Sequence, residues 1–339
     1  MIETINFPIC ADELAQYGGW PELRQALDDL GLDGVEGIWG GEELLPGIPQ
    51  GILQGYHLTF FADWLDFYRN DTEALERKFG SVAAARAFFG GGPECLLTQY
   101  RADLARARAL GARYVVFHVS DVSIEETYTY RWLHTDEAVI DASAELINAM
   151  LEGVAPEFDF LVENQWWPGF TFTEPRKTER LLEAIRYPRK GILLDTGHLM
   201  HCDTSITSQR EGAAFLSAML TRHGSLCQYI RGVHLHQSVS GVYVRRHTGP
   251  LPKDLPRDYL QRFAYSYAHI QRIDRHLPWT DAAIVPVLER IAPRYLTHEL
   301  AVPEGGSRLA AAQVQLETLR GLRLPRTPSE RRHVIHGAM

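Results

Sequence analysis

The sequence predicts an α/β fold, a (β/α)8 TIM barrel with long loop insertions on the C-terminal face. Short β-rich runs alternate with longer helical patterns along the chain, and eight such runs can be placed. Most of these runs are continuously apolar, which is typical of parallel strands covered on both faces. The chain has 339 residues, whereas such a barrel takes about 250, so the excess must form insertions and a tail.

The first half of the chain supplies four of the strands. Gly31 and Gly111 follow two amphipathic stretches, and glycine commonly ends a helix because it adopts the left-handed conformation at no steric cost. Apolar spacing therefore predicts helices over residues 20–30 and 94–110. The β-rich runs predict strands over residues 4–9, 34–39, 52–60 and 113–119.

The second half of the chain alternates more regularly between strand and helix patterns. It predicts strands over residues 158–163, 191–195, 229–236 and 295–300, and helices over 136–151, 174–185, 211–223, 281–291 and 309–322. We predict one barrel domain over residues 1–322, with insertions at about 62–93 and 238–278, and a surface tail over 323–339. Both insertions follow strands, so they should lie over the active site or at a subunit contact. A subunit contact would imply a homo-oligomer.

Composition narrows the class of protein. The net charge of −9 argues against a nonspecific nucleic-acid binder, which needs a basic face, but leaves room for a local basic groove; we expect a small-molecule substrate. Four cysteines without CxxC spacing indicate reduced thiols and a cytoplasmic protein. No apolar run approaches the roughly 20 residues that a membrane span requires.

Four predicted strands end in potential metal ligands, namely Glu163, Asp195, His234 and Glu299. The carboxyl ends of barrel strands converge on one face, so these side chains should meet there. A shared divalent cation would neutralise the carboxylates, and the oxygen-rich set suits Mn²⁺, Co²⁺, Mg²⁺ or Zn²⁺. The alternative is four separate salt bridges, but no matching set of lysines or arginines lies beside them.

The same strand ends carry motifs that resemble the xylose isomerase-like barrels, a superfamily that includes sugar isomerases, sugar epimerases and endonuclease IV. The motifs are Val162-Glu163-Asn164, Leu194-Asp195-Thr196-Gly197-His198, Val233-His234-Leu235-His236-Gln237 and Thr297-His298-Glu299-Leu300. In the epimerase branch, the resemblance implies one metal held by Glu163, Asp195, His234 and Glu299. It further implies that Glu163 and Glu299 are catalytic and exchange the substrate protons.

Further histidines occupy places similar to those of histidines in the endonuclease IV branch, whose members hold three zinc ions. The resemblance implies additional metal ligands at His57, His118, His198 and His247. The family pattern at the last position is Asp-x-His, but Arg245 stands where the aspartate would be, which argues against a full three-metal site. His57 and His118 could instead be hydrogen-bonded core residues, and His247 could be a loop residue.

A second group of residues is predicted to contact substrate. Aromatic rings stack on apolar sugar faces, and arginines bind phosphate or carboxylate groups. The alternatives are that the tryptophans pack under an insertion and that the arginines form a solvated loop pair. His236 is a further alternative to His234 as the metal ligand. The predicted substrate contacts are His198, Trp166, Trp167, His236, Arg245 and Arg246.

We therefore predict a metal-dependent isomerase or epimerase that acts on a small sugar or sugar-like hydroxy-carbonyl substrate. One glutamate would remove the proton α to the carbonyl, and the other would return it, with an enediolate between the two steps. The alternative enzyme is a multi-zinc hydrolase of a small phosphodiester. A second alternative is a barrel that binds a ligand without turnover.

Overall fold

Eight parallel strands form a closed barrel, in which each strand pairs with the next and the last pairs with the first. The computed structural model describes residues 1–39, 46–302 and 305–324. Closure places Thr4 opposite Thr297, so the two ends of the barrel sequence lie side by side. The predicted fold class is confirmed. The strands are β1 (Ile2–Ile9), β2 (Gly34–Trp39), β3 (Leu53–His57), β4 (Tyr114–His118), β5 (Asp159–Glu163), β6 (Lys190–Asp195), β7 (Ile230–Leu235) and β8 (Tyr295–His298).

Helices surround the barrel, and their apolar faces bury against the strands. Among the described residues, no helix is both long and apolar enough to traverse a bilayer. Residues 325–339 of the predicted tail lie outside the described part of the chain. The helices are α1 (Ala11–Ala15), α2 (Trp20–Leu30), α3 (Leu65–Tyr68), α4 (Thr72–Phe79), α5 (Val82–Phe89), α6 (Glu94–Ala109), α7 (Ile124–Thr129), α8 (Asp136–Met150), α9 (Pro175–Ala184), α10 (Thr196–His201), α11 (Gln209–His223), α12 (Gly241–His247), α13 (Tyr259–Ile273), α14 (Val285–Ile291) and α15 (Arg308–Thr318). Short 3₁₀ segments occupy Gly224–Tyr229 and Ala282–Ile284.

The two insertions pack against each other beside the carboxyl ends of the strands. The first, after β3, contains α3, α4 and α5, and the second, after β7, contains α12 and α13. Phe79 of α4 stacks on Tyr259 of α13 with ring centroids 4.0 Å apart, and Phe88 contacts Phe263 at 5.7 Å. The rim of the barrel mouth is therefore built jointly from segments that are distant in sequence.

A buried ionic network anchors the first insertion. The ammonium group of Lys78 lies 2.5 Å from a carboxylate oxygen of Asp63 and 2.7 Å from one of Asp66. Asp121, after β4, accepts hydrogen bonds from the backbone N–H groups of Trp64 and Leu65. Because an unpaired buried charge is costly, these contacts hold the insertion in one position over the strand ends.

The barrel interior carries a polar layer beneath the strand ends. Alternation along each strand places Thr4, Glu36, Tyr114 and Thr297 on the inward face. The Tyr114 hydroxyl donates to Glu36 Oε2 at 2.7 Å and lies 2.9 Å from the Thr297 hydroxyl, which is itself 3.0 Å from that of Thr4. These contacts fix the Glu36 carboxylate directly below the candidate site.

Candidate metal centre

The predicted strand-end ligands meet at one end of the barrel, as the parallel topology requires. Glu163 and Asp195 end β5 and β6, His234 lies near the end of β7, and Glu299 follows β8. One donor atom from each of the four lies within 4.8 Å of the others. His234 Nδ1 is 3.1 Å from Glu299 Oε2, 3.6 Å from Glu163 Oε1 and 3.8 Å from Asp195 Oδ2. We call these four residues the central cluster.

A second group of donors adjoins the central cluster and shares Glu163 with it. His57 and His118 end β3 and β4, and their Nε2 atoms lie 3.0 Å apart. Both atoms approach the second carboxylate oxygen of Glu163, at 3.3 and 3.2 Å. His57 Nδ1 donates to the Leu58 carbonyl at 2.9 Å, which leaves the Nε2 lone pair directed at Glu163. We call His57, His118 and Glu163 the first cluster.

A third group adjoins the central cluster and consists of His198, His236, Asp274 and His276. His198 Nε2 and His276 Nε2 lie 3.2 and 2.7 Å from Asp274 Oδ2. His198 Nδ1 is also 3.0 Å from Glu163 Oε1, which links this group to the other two. We call these four residues the third cluster.

Several buried atoms of the three clusters have no hydrogen-bond partner among the described residues. They are Glu163 Oε2, Glu299 Oε2, His234 Nδ1 and His236 Nδ1. Such orphaned buried atoms are costly unless something else satisfies them. Carboxylate oxygens and imidazole lone pairs that converge without hydrogen-bond geometry are the donor set of a divalent cation, so the residues fit a metal centre.

The electrostatic balance of the clusters favours charged carboxylates. Burial by itself would lower the pKa of His234, but Glu299, Glu36 and Glu163 raise it well above the ordinary value. Burial would likewise raise the pKa of Glu163, yet His118 and His234 hold it well below its usual range. The carboxylates are thus anionic and need nearby positive charge, which either imidazolium groups or metal ions supply.

A carboxylate below the clusters orients one of the ligands. Glu36 Oε1 lies 2.8 Å from His234 Nε2, so the imidazole donates from Nε2, and its neutral, metal-binding form would present the Nδ1 lone pair to the central cluster. This carboxylate–histidine arrangement is the usual support of a metal-binding imidazole. Asn164 adds a second support, since its side chain pairs with the backbone N–H and carbonyl of Asp195.

Some of the predicted substrate contacts lie buried at the clusters, and others lie on the surface. Trp166 and Trp167 are buried, and the Trp166 ring lies 5.0 Å from that of His198. Arg245 and Arg246 are exposed on α12 and belong to none of the three clusters. Trp166 therefore packs against the third cluster and Trp167 against Trp166, whereas the arginine pair is a surface feature. His198 and His236 belong to the third cluster itself.

His247, predicted as a metal ligand, is not among the clustered residues. It lies on α12, exposed, with its Nδ1 2.8 Å from the Tyr243 carbonyl oxygen. Asp274 and His276, beyond α13, form the Asp-x-His pattern that is absent at Arg245. Arg245 therefore does not by itself exclude a third metal position, because Asp274 and His276 supply an aspartate and a histidine to the third cluster.

The barrel fold is similar to that of several solved proteins. The structure resembles that of a D-tagatose 3-epimerase-like protein with 12% identity and a TM-score of 0.50, over 94% of this chain and 97% of that one. An Escherichia coli 3-keto-D-glucoside 4-epimerase has 11% identity and a TM-score of 0.49, over 94% and 97% of the two chains. An L-ribulose 3-epimerase has 14% identity and a TM-score of 0.48, over 94% and 92%. At these identities the likeness concerns the fold alone.

The sequence comparisons identify the family. No curated protein matches the chain. The family model described as xylose isomerase-like TIM barrel matches residues 24–292, which contain most of the barrel and all clustered residues except Glu299. On this match, the chain belongs to the xylose isomerase-like TIM-barrel family.

Proposed function

We propose that this protein is a divalent-metal-dependent hydrolase that acts on a small phosphoester. The observation that carries the proposal is the continuity of the three clusters. Glu163 directs one carboxylate oxygen to His57 and His118, and the other to His198 and His234. A side chain placed in this way suits a ligand that bridges two ions, and bridged ions are typical of phosphoester hydrolases.

The residues of the first and central clusters would hold two ions, and those of the third cluster would hold one more. Bound ions would supply Lewis acidity, which lowers the pKa of water and neutralises phosphate oxygens. The chain itself fixes the donors, since His57 is held by the Leu58 carbonyl and His234 by Glu36. Burial of Glu163, Asp195 and His234 keeps bulk water away from the reacting group.

An exposed aromatic ring beside the first cluster supports a substrate with a flat or apolar portion. Phe60 stacks on the His118 ring, with centroids 4.8 Å apart and planes inclined by 27°, yet it remains 46% exposed. A ring of this kind can cover a sugar face or a base next to the phosphate. The net charge of −9 favours a small substrate over a nucleic-acid duplex.

The second candidate is the metal-dependent sugar isomerase or epimerase, which the central cluster favours because it contains two glutamates. In that reaction Glu163 and Glu299 would exchange the proton α to a carbonyl. The position of Glu163 argues against it. With cations in the first and central clusters, neither oxygen of Glu163 would be left to carry a proton.

One variant separates the two reactions. The double substitution His57→Asn and His118→Asn removes the first cluster and leaves the central cluster intact. For a phosphoester hydrolase, we expect hydrolysis of bis-p-nitrophenyl phosphate and of p-nitrophenyl phosphate to fall about 100-fold or more in this variant.

A single-metal epimerase would keep its turnover in the same variant. It would also incorporate solvent deuterium into ketohexoses such as D-tagatose, which proton NMR detects. Two or more ions in the wild-type protein, together with phosphoester turnover, would support the proposal. One ion per chain, with deuterium exchange that survives the double substitution, would overturn it.

A further inference from the structure

We propose that a cavity at the amino-terminal ends of the strands binds a small anion that carries a diphosphate group. The cavity has a volume of about 340 Å³ and lies at the opposite end of the barrel from the three clusters. We call it the basal cavity. The inference goes beyond the proposed function and is independent of it, because it uses none of the clustered residues. The charged residues that line the cavity are Arg108, Arg113, Glu157, Arg189 and Arg294.

Three of these arginines meet because each stands at the start of a strand. Arg113, Arg189 and Arg294 come directly before the first residues of β4, β6 and β8. The backbone carbonyl of each accepts a hydrogen bond from the neighbouring strand, which fixes the base of its side chain. The amino-terminal ends of parallel barrel strands lie on one face, so the three guanidinium groups are held on the same face.

One buried carboxylate holds the arginines in place and has no acceptor position left. Asp159 is the first residue of β5, and its Oδ1 accepts from Arg189 at 2.9 Å and from Arg231 at 3.0 Å. Its Oδ2 accepts from Arg294 at 3.1 Å and from the Tyr295 hydroxyl at 2.9 Å. Two hydrogen bonds to each oxygen use the full capacity of a carboxylate. The remaining guanidinium N–H groups therefore need another acceptor.

The backbone makes room for Arg231 in this network. β6 lies between the strands that carry Asp159 and Arg231, and its second residue is Gly191. A Cβ atom at Gly191 would come within 2.8 Å of Arg231 Cδ, so glycine lets this side chain cross β6 and reach Asp159. The arginines are thus positioned by the barrel itself and not by a surface loop.

The residues around the cavity carry an excess of positive charge. Glu157 pairs with Arg108 at 3.1 Å, and Asp159 balances one more arginine. Within the described part of the chain, the Arg113 side chain has no ion pair or hydrogen bond. Five guanidinium groups against two carboxylates leave three positive charges, in a chain whose net charge is −9. A cleft lined by one sign of charge attracts ions of the other sign.

The size of this excess and the exposure of the arginines indicate the class of ligand. Arg113 is exposed, and the side chains of Arg294 and Arg189 are 59% and 35% exposed, so their free N–H groups are accessible. Guanidinium groups bind phosphate oxygens with two parallel hydrogen bonds. A phosphomonoester carries only about −1.5 to −2 at pH 7. A diphosphate group carries more charge and offers oxygens to more than one arginine.

A pair of tyrosines separates the basal cavity from the three clusters. Tyr295 lines the cavity and stacks on Tyr114, with ring centroids 4.2 Å apart and planes inclined by 28°, and both rings are buried. β5 runs from Asp159 beside the cavity to Glu163 at the clusters, which is about 13 Å at the usual rise of about 3.3 Å per residue. An anion in the cavity would not touch a metal ion in the clusters.

The test measures pyrophosphate binding by isothermal titration calorimetry, with the full chain as purified and the ionic strength set by sodium chloride. We expect one binding event whose dissociation constant rises about tenfold or more in Arg113→Gln and in Arg294→Gln, because each variant loses a charge-assisted contact. Arg176→Gln is the matched control and should bind as the wild type does, since Arg176 is exposed on α9 and does not line the cavity.

Two further probes define the ligand. Inorganic phosphate should bind about tenfold more weakly than pyrophosphate, and equal affinity for the two would overturn the assignment of a diphosphate. ADP distinguishes the two sources of that group. Tighter binding of ADP than of pyrophosphate would support an esterified diphosphate as the ligand, and the reverse order would support the free anion.

Labelling of the wild type with phenylglyoxal locates the site and does not depend on the variants' folding. The reagent modifies accessible guanidinium groups, and peptide mass spectrometry measures each one. We expect pyrophosphate to protect Arg113 and Arg294 but not Arg176. The inference would be overturned if neither cavity variant weakened any binding event, or if pyrophosphate left the labelling of Arg113 and Arg294 unchanged. Both results would leave the proposed function standing, because pyrophosphate bound at the three clusters would give them too.

Discussion

Replacing Glu36 with glutamine should weaken metal binding without unfolding the barrel. Glu36 is buried, accepts a hydrogen bond from His234 Nε2 at 2.8 Å, and also accepts bonds from Tyr114 and Thr297 at 2.7 and 2.9 Å. Glutamine keeps the volume and one acceptor oxygen but removes the charge. The imidazole then becomes a poorer donor to a metal, because the carboxylate no longer raises its basicity.

The size of the effect follows from the lost charge. Loss of such an outer partner typically lowers metal affinity about 10- to 100-fold, which corresponds to about 1.4–2.8 kcal/mol. The metal-free protein should lose much less stability. The glutamine oxygen can still accept from His234 Nε2, so this hydrogen bond is kept in a weaker form without the carboxylate charge. We therefore expect the free energy of unfolding without metal to change by about 1 kcal/mol or less.

The assay is competition for Zn²⁺ against a chromophoric chelator, with urea unfolding of the metal-free protein in parallel. Glu3→Gln is a matched control. Glu3 also pairs with a buried imidazole, His298, at 3.0 Å, but His298 contacts Gln315 and belongs to none of the three clusters. Zinc affinity of Glu36→Gln within twofold of wild type, or an equal loss in Glu3→Gln, would refute the reasoning.

Three further predictions concern catalysis, pH and stability. Glu299→Gln should abolish turnover and leave the metal-free fold intact, because it removes a ligand of the central cluster; near-normal activity, with unchanged circular dichroism, would exclude the assigned role. Without metal, the protein should be more stable at pH 6 than at pH 9.5. Although burial opposes it, Asp274 and Glu299 raise the pKa of His276 to about 9. Because the pKa of His276 is higher in the folded than in the unfolded protein, its protonation stabilises the fold. This stabilisation is complete below the unfolded-state pKa of about 6.5 and is lost as the pH rises through about 9. Melting temperatures with chelator present test this, and a flat profile would contradict it. Lys78→Met should destabilise the protein by about 3–5 kcal/mol, since it leaves Asp63 and Asp66 buried without their cation; urea unfolding measures this, with exposed Lys253→Met as control.

The strand ends could be predicted from the sequence because two local patterns determine them. An apolar run gives the strand, and the parallel barrel places its last residue on the common face, as for Glu163 and Asp195. Asp274 and His276 could not be located in this way. They follow α13 at the end of the second insertion, and their approach to His198 depends on how that insertion folds back, which local spacing does not encode.

Glu36 was missed for a different reason. It lies in the middle of β2 and contacts His234, which is distant in sequence and lies across the barrel. In the sequence it is a single charged residue within a short apolar strand. Only barrel closure shows that it faces inward and meets an imidazole. Conversely, the residues around His247 resemble a metal-binding motif. His247 nevertheless lies on the surface helix α12, which its local sequence did not indicate.

The pairing of β1 with β8 determines when the central cluster can form during folding. Thr4 and Thr297 hydrogen-bond across a sequence separation of 293 residues, and Glu299 lies just beyond this contact. Contacts between such distant residues form late, because loop closure must precede them. The central cluster thus stays incomplete until the last strand docks. Metal ions would then lock a barrel that has already closed, and the open intermediate would have to remain soluble without them.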